Sequence, residues 1–286
     1  MTKKTNSKNN EPKVPKFIIY TAHILQNINP KWATKFAARL FSTPIKHKMP
    51  RREWEMDKKS IQKKLFIPQI NKEVVVYEYG VGKKQILLVH GWSGRGTQLV
   101  KIADELVNKN YKVISFDAPA HGKSGSNTTL MIEFIHCIME IERKYSTFYA
   151  GIGHSLGGMA LYNAVNWGLK IEKLVTIGAG NSITEITQEF VNKIQLPQTQ
   201  VQEIKELFEK KYQLKMDDFG SAVNAEQITI PVMIIHDIND LDVPEKCAYE
   251  INEKAKNSKL IITEKLGHRK ILGDDNVIKE IITFVK

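Results

Sequence analysis

Six short apolar runs recur through the second two thirds of the chain: "QILLVH" (85–90), "KVISFD" (112–117), "FYAGIG" (148–153), "KLVTIG" (173–178), "PVMIIH" (231–236) and "KLIITE" (259–264). None alternates apolar with polar residues as a strand with one wet face does. Each therefore reads as a strand covered on both faces, the pattern of a parallel sheet. Segments with apolar residues at three- and four-residue steps follow most of them, near 97–109, 128–144, 156–167, 245–256 and 274–285. Ahead of this series, "KKLFIP" and "EVVVYEY" flank a short turn containing Asn71 and read as an antiparallel pair. The pattern predicts an α/β protein with a doubly wound, mostly parallel sheet of about eight strands, whose chemistry belongs at the carboxyl ends of the strands. One connection is too long for a simple crossover. Residues 181–228 carry "VQEIKELFEKKY" and other helical material, which predicts a small helical cap over the site.

The first sixty residues follow another pattern. A polar tip runs to about Lys16, followed by "FIIYTAHILQ" and "NPKWATKFAARLF", where Asn29 can cap a helix and Pro30 takes its first position. Ile18, Ala22, Leu25, Ile28, Trp32, Phe36 and Leu40 form an amphipathic stripe. The expectation is that this stripe packs on the protein body with its lysines in solvent; the alternative is weak attachment of the arm to an anionic membrane. The chain thus divides into a basic, partly helical arm (1–60), a core (61–180 with 229–286) and a cap (181–228).

Composition narrows the setting. With 286 residues, 42% of them hydrophobic and 26% charged, the chain has an ordinary globular make-up. Its net charge of +11 is unevenly placed: residues 1–64 carry +12 and the remaining 222 carry −1. The basicity belongs to the arm, and no nucleic-acid reading motif accompanies it, so nucleic-acid binding is not expected. Cys137 and Cys247 lie far apart within apolar helical patterns, as buried free thiols would, and have no zinc-ligand spacing. The N-terminal stretch lacks the apolar core of a secretory signal, and no window reaches the length of a membrane span. A cytoplasmic protein is expected.

Candidate chemistry centres on Gly153-His154-Ser155-Leu156-Gly157, which places a serine where a strand gives way to a helix. Such a turn holds its nucleophile in a strained conformation, and its small neighbours let strand and helix backbones approach closely. The helix beginning behind Ser155 points free N–H groups at any developing negative charge. A serine hydroxyl needs a base. His23, His47 and His136 sit in the arm or on a helix, His90 ends a strand, and His154 should leave the turn in another direction. His121 and His236 lie on loops at the right end of the sheet but not where this topology needs the base. His268, between the last strand and the last helix, is the best candidate. The acid that fixes its tautomer comes from "HDINDLDVPEK". Asp237 ends the strand, and Asp242 with Glu245 spells a capping box, which leaves Asp240 as the acid and Asp242 as second choice.

The order Ser155, Asp240, His268, together with "HGWSG", "FDAPAHGKS", "GHSLGG" and "GHRK", resembles the α/β-hydrolase superfamily, in its serine-nucleophile, esterase- and lipase-like branch, over roughly residues 63–286. Two departures stand out: Ala120 replaces the usual glycine of D-x-P-G-H-G-x-S, and Asp237 replaces the glycine of H-G-x-x-D-x-x-V-P. The resemblance implies an oxyanion hole from the backbone N–H groups of Trp92 and Leu156. Trp92, Arg95, Gln98 and His154 are the candidate substrate-binding residues, Arg95 and Gln98 for an anionic group. The implied activity is hydrolysis of a small-molecule ester or thioester through an acyl-enzyme, with no metal or organic cofactor. Carbon-carbon bond hydrolysis or haloperoxidase-like chemistry on the same triad, and a non-catalytic binding protein retaining the fold, are the alternatives.

Overall fold

A computed structural model describes residues 14–286; the polar tip expected at the N-terminus lies almost wholly outside them. The eight strands are β1 (Ile61–Ile67), β2 (Lys72–Tyr79), β3 (Lys84–Val89), β4 (Tyr111–Asp117), β5 (Phe148–His154), β6 (Ile171–Ile177), β7 (Val232–Asp237) and β8 (Ser258–Thr263). They form one sheet in the order β1-β2-β4-β3-β5-β6-β7-β8. β2 runs antiparallel to both β1 and β4, and every other pairing is parallel. Asn71 turns β1 into β2 in the left-handed conformation, φ 50°, which asparagine tolerates better than most residues.

The central strands read as continuous apolar runs because both faces are covered. Leu87 and Val89 of β3 enter one apolar core while Ile86 and Leu88 enter the other. On the first face lie α5 (Met131–Tyr145), α6 (Leu156–Asn166) and α10 (Lys246–Lys254); on the second lie α3 (Trp54–Lys59), α4 (Val100–Asn108) and α12 (Asp275–Val285). The two edge strands are less buried, as their open sides require.

The long connection between β6 and β7 holds α7 (Ile183–Lys193), α8 (Thr199–Tyr212) and α9 (Ser221–Ala225). The arm holds α1 (Lys16–Ile28) and α2 (Pro30–Phe41), with Asn29 capping α2 through its side chain to Lys31 N–H at 3.0 Å. Arm and insertion share the first core. Phe41 of α2 packs edge-on against Phe190 of α7 at 5.2 Å and tilted against Phe208 of α8 at 6.0 Å. Thr34 donates to Gln200 and Glu203 of α8, and His23 bonds the Gln195 carbonyl. The face of α2 that does this is Ala33, Thr34, Ala37 and Ala38, small residues that let the helices approach. The expected stripe splits: Ala22 is buried and Leu25 and Phe36 are packed, whereas Ile28 and Trp32 face outward.

Candidate active site

Ser155 sits between β5 and α6 at φ 52°, ψ −121°, a conformation that costs a non-glycine residue on the order of 1–3 kcal/mol. Its surroundings over-determine it. The Ser155 N–H is held by the Ile177 carbonyl at 2.9 Å, and its own carbonyl accepts from Gly158 and Met159 to start α6. A methyl group on Gly157 would lie 2.3 Å from the Val89 carbonyl oxygen, and one on Gly153 would lie 2.6 Å from the backbone of Gly157. Strand and helix can meet this closely only with glycine at both places. Of the first-turn N–H groups of α6, those of Leu156 and Gly157 have no partner inside the helix, and they lie behind the serine.

His268 stands on the short α11 (Gly267–Lys270), and its Nδ1 lies 2.7 Å from Asp240 Oδ2. The carboxylate oxygen is the acceptor in this bond, so Nδ1 is the ring nitrogen that donates. The second oxygen of Asp240 accepts from the N–H groups of Asp242 and Val243, both at 2.9 Å. The pair is fastened to the elbow through His154: its Nε2 bonds the His268 carbonyl at 2.9 Å, and the two rings are 4.6 Å apart. Gly178, at φ 58°, leaves the space beside this pair, since a methyl there would lie 3.2 Å from His268 Nδ1 and 3.4 Å from Asp240 Oδ2. The structure thus brings Ser155, Asp240 and His268 to the carboxyl ends of β5, β7 and β8 respectively. His236, also near Asp240 at 3.6 Å, gives its Nε2 to the Val243 carbonyl at 3.0 Å.

Asp242 has neither of its two anticipated places. It is exposed, and α10 begins only at Lys246, with no side-chain cap at its start. The local D-x-x-E spelling is present, but Asp242 and Val243 give their N–H groups to Asp240, and Glu245 rather than Asp242 precedes the helix.

Asp237 is the residue that sequence reasoning passed over. Its Oδ1 accepts from the N–H groups of Asn239 and Gly267, and its Oδ2 accepts from Leu266 N–H and the Thr263 hydroxyl, all at 2.7–3.1 Å. Burial pushes its carboxyl up, but these bonds outweigh burial and hold it below the usual aspartate range. One side chain therefore ties the acid loop to the loop bearing His268. The departure from glycine at this position was the visible signal.

The "HGWSG" loop is pinned in the same manner. Gln98 Oε1 accepts from Gly91 N–H at 2.9 Å, and His121 Nε2 accepts from Ser93 N–H at 2.9 Å, fixing the peptides on either side of Trp92. His90 accepts from Ala118 N–H at 3.1 Å and donates to the Gly91 carbonyl at 2.7 Å. Both histidines are neutral: burial pushes His90 down to about 4, and burial with the neighbouring His90 pushes His121 down to about 3. Asp117 anchors the next loop by accepting from Gly96, Lys123 and Tyr77. Ala120 adopts the left-handed φ of 67° itself, so the loop keeps a glycine-like backbone despite the replacement.

Among the expected substrate-binding residues, only Trp92 presents an exposed side chain. Gln98 is committed to Gly91. His154 is buried, and burial followed by the neighbouring His268 pushes it well below the usual histidine range. The Arg95 guanidinium is engaged within the protein: it donates to the His47 carbonyl at 2.7 Å and lies 3.6 Å from Glu53, whose carboxylate also accepts from Thr97. Together with Ile45 N–H to the Ser93 hydroxyl at 3.0 Å, these contacts bind the extended segment after α2 to the "HGWSG" loop as a strap. A cavity of about 110 Å³ lies beneath this strap, walled by Ile45, His47, Met49, Arg95 and His121.

Strand order, the single antiparallel interruption at β2, the nucleophile position after β5, and the acid and base after β7 and β8 decide the architecture. The chain has the α/β-hydrolase fold. No protein-family model and no curated protein sequence matches it. Solved structures do. An esterase from Exiguobacterium antarcticum is similar at a TM-score of 0.62 with 16% identity, covering 79% of this chain and 99% of the esterase. A bromoperoxidase from Bacillus anthracis is similar at 0.61 with 19% identity, covering 79% and 99%. A bacterial membrane phospholipase A is similar at 0.63 with 14% identity, covering 95% of this chain and 98% of the phospholipase. At these identities the likeness carries the α/β-hydrolase fold.

Proposed function

We propose that the protein is a serine hydrolase that cleaves a carboxylic ester or thioester through an acyl-enzyme on Ser155. The observation that carries this reading is the His268 to Asp240 bond, with His268 tied through its carbonyl to His154, the residue just before a serine held at positive φ. With Nδ1 committed to Asp240, His268 takes the Ser155 proton on Nε2 as the hydroxyl attacks the carbonyl carbon. The tetrahedral oxyanion is stabilised by the N–H groups of Leu156 and Trp92, the second held between two pinned neighbours. His268 then protonates the leaving alkoxide or thiolate, and water repeats the cycle on the acyl-enzyme. The esterase among similar structures lends the ester reading its support at the level of fold. A panel of aryl esters and acyl thioesters tests it. Wild type turns over at least one class, Ser155→Ala and His268→Ala abolish turnover while remaining folded, Asp240→Asn lowers kcat by a factor on the order of 10⁴, and Asp242→Asn leaves it near wild type. Esterase activity retained by folded Ser155→Ala would refute the mechanism.

A further inference from the structure

The two arm helices turn a second apolar face to the outside. Phe17, Tyr20, Ile24 and Ile28 recur along one side of α1, and Trp32 is exposed in the first turn of α2. All five are more than half exposed, Phe17 at 70%. The opposite side, with Ala22 and Leu25, is the one that joins the protein core. Isolated apolar side chains on a surface need no explanation, but four on one side of a single helix, with an exposed Trp at the start of the next, mark a contact surface.

Charge identifies the kind of partner. Residues 14–52 contain eight Lys and Arg and no Asp or Glu. Lys31, Lys35 and Arg39 stand exposed on α2 beside Trp32, and Lys16 stands exposed at the start of α1. A second copy of the chain would bring this basic stretch against its own like charges, which opposes self-association. An anionic lipid surface satisfies both halves of the pattern: aromatic and aliphatic side chains enter the headgroup boundary while long basic side chains reach the phosphates. α1 has 13 residues, about 20 Å of helix, too short to cross a hydrocarbon core of about 30 Å. It would lie in the plane of the surface.

We propose that α1 and α2 dock the protein on an anionic phospholipid bilayer, with Phe17, Tyr20, Ile24, Ile28 and Trp32 entering the interface and the neighbouring basic side chains engaging headgroup phosphates. This docking stands independently of the hydrolase reading, and its test contains no activity measurement. The full chain is sedimented with vesicles of phosphatidylcholine alone and of phosphatidylcholine with about one third phosphatidylglycerol, at low and high salt. The expected result is partition onto the anionic vesicles that weakens at high salt. Phe17→Ser/Ile24→Ser/Ile28→Ser and Lys31→Glu/Lys35→Glu/Arg39→Glu should each lower the partition coefficient at least about ten-fold, with melting temperatures close to wild type because every altered side chain is exposed. Absence of vesicle binding by the full chain overturns the proposal, as does binding that the apolar triple variant does not weaken. A concentration-dependent dimer abolished by that same variant would assign the face to a second copy instead.

Discussion

At Asp237 a carboxylate accepts four hydrogen bonds from two loops that are far apart in sequence, and the position of His268 depends on it. His90 and His121 work similarly as neutral acceptors inside the "HGWSG" framework, which links pH to stability. Their folded pKa values, about 4 and about 3, lie below the unfolded histidine value of 6.5. Between those limits the unfolded state binds more protons, so stability rises with pH in that window and is lost as pH falls from 6.5 towards 4. Asp117 and Glu53, both raised by burial, oppose this trend within the window, so the mutant difference is the clean readout. The melting temperature of His121→Gln should therefore fall less than that of wild type between pH 7 and pH 5. Parallel pH profiles for the two proteins would contradict the neutral-acceptor role. Individual residues were unevenly legible in the sequence. Ser155, His268 and Asp240 stand at spacings dictated by strand ends, and spacing is visible. Asp237 acts through the Thr263 hydroxyl 26 residues away and backbone N–H groups 29 and 30 residues away, and Arg95 through a carbonyl 48 residues away, and no local pattern announces such partners.

At the scale of elements, the strand runs were the most legible part because burial on both faces leaves no ambiguity of period. Helix starts were less so. The helix expected from residue 97 begins at Val100 because Thr97 and Gln98 spend their side chains on Glu53 and Gly91. The strap between α2 and α3 has no periodicity at all, and its place over the "HGWSG" loop emerges only from its contacts. Arg95 is the fastener. Arg95→Met removes a guanidinium from a nearly buried pair and leaves the Glu53 carboxylate with less compensation, so a loss of about 3 kcal/mol of stability is expected. If Arg95 instead received a substrate anion, the variant would keep its stability and lose preference for anionic over neutral esters. Thermal melts and a pair of matched ester substrates separate the two.

The molecule as a whole combines a nearly neutral core with a basic arm; α2 of the arm packs on the helical insertion between β6 and β7, while the strap and α3 join the core directly. The division was visible in the charge distribution, but the partner was not: the small residues Ala33, Thr34, Ala37 and Ala38 form the seam together with only part of the expected stripe, Leu25 and Phe36. The large residues left outside are the reason the arm has two faces. Around this scaffold, the central claim is that Ser155 is an activated nucleophile, and a fluorophosphonate probe measures that directly. Intact mass and peptide mapping should find one adduct, on Ser155, absent in Ser155→Ala and formed far more slowly in His268→Ala. A folded wild-type protein that takes no label, or takes it on another residue, would contradict the account.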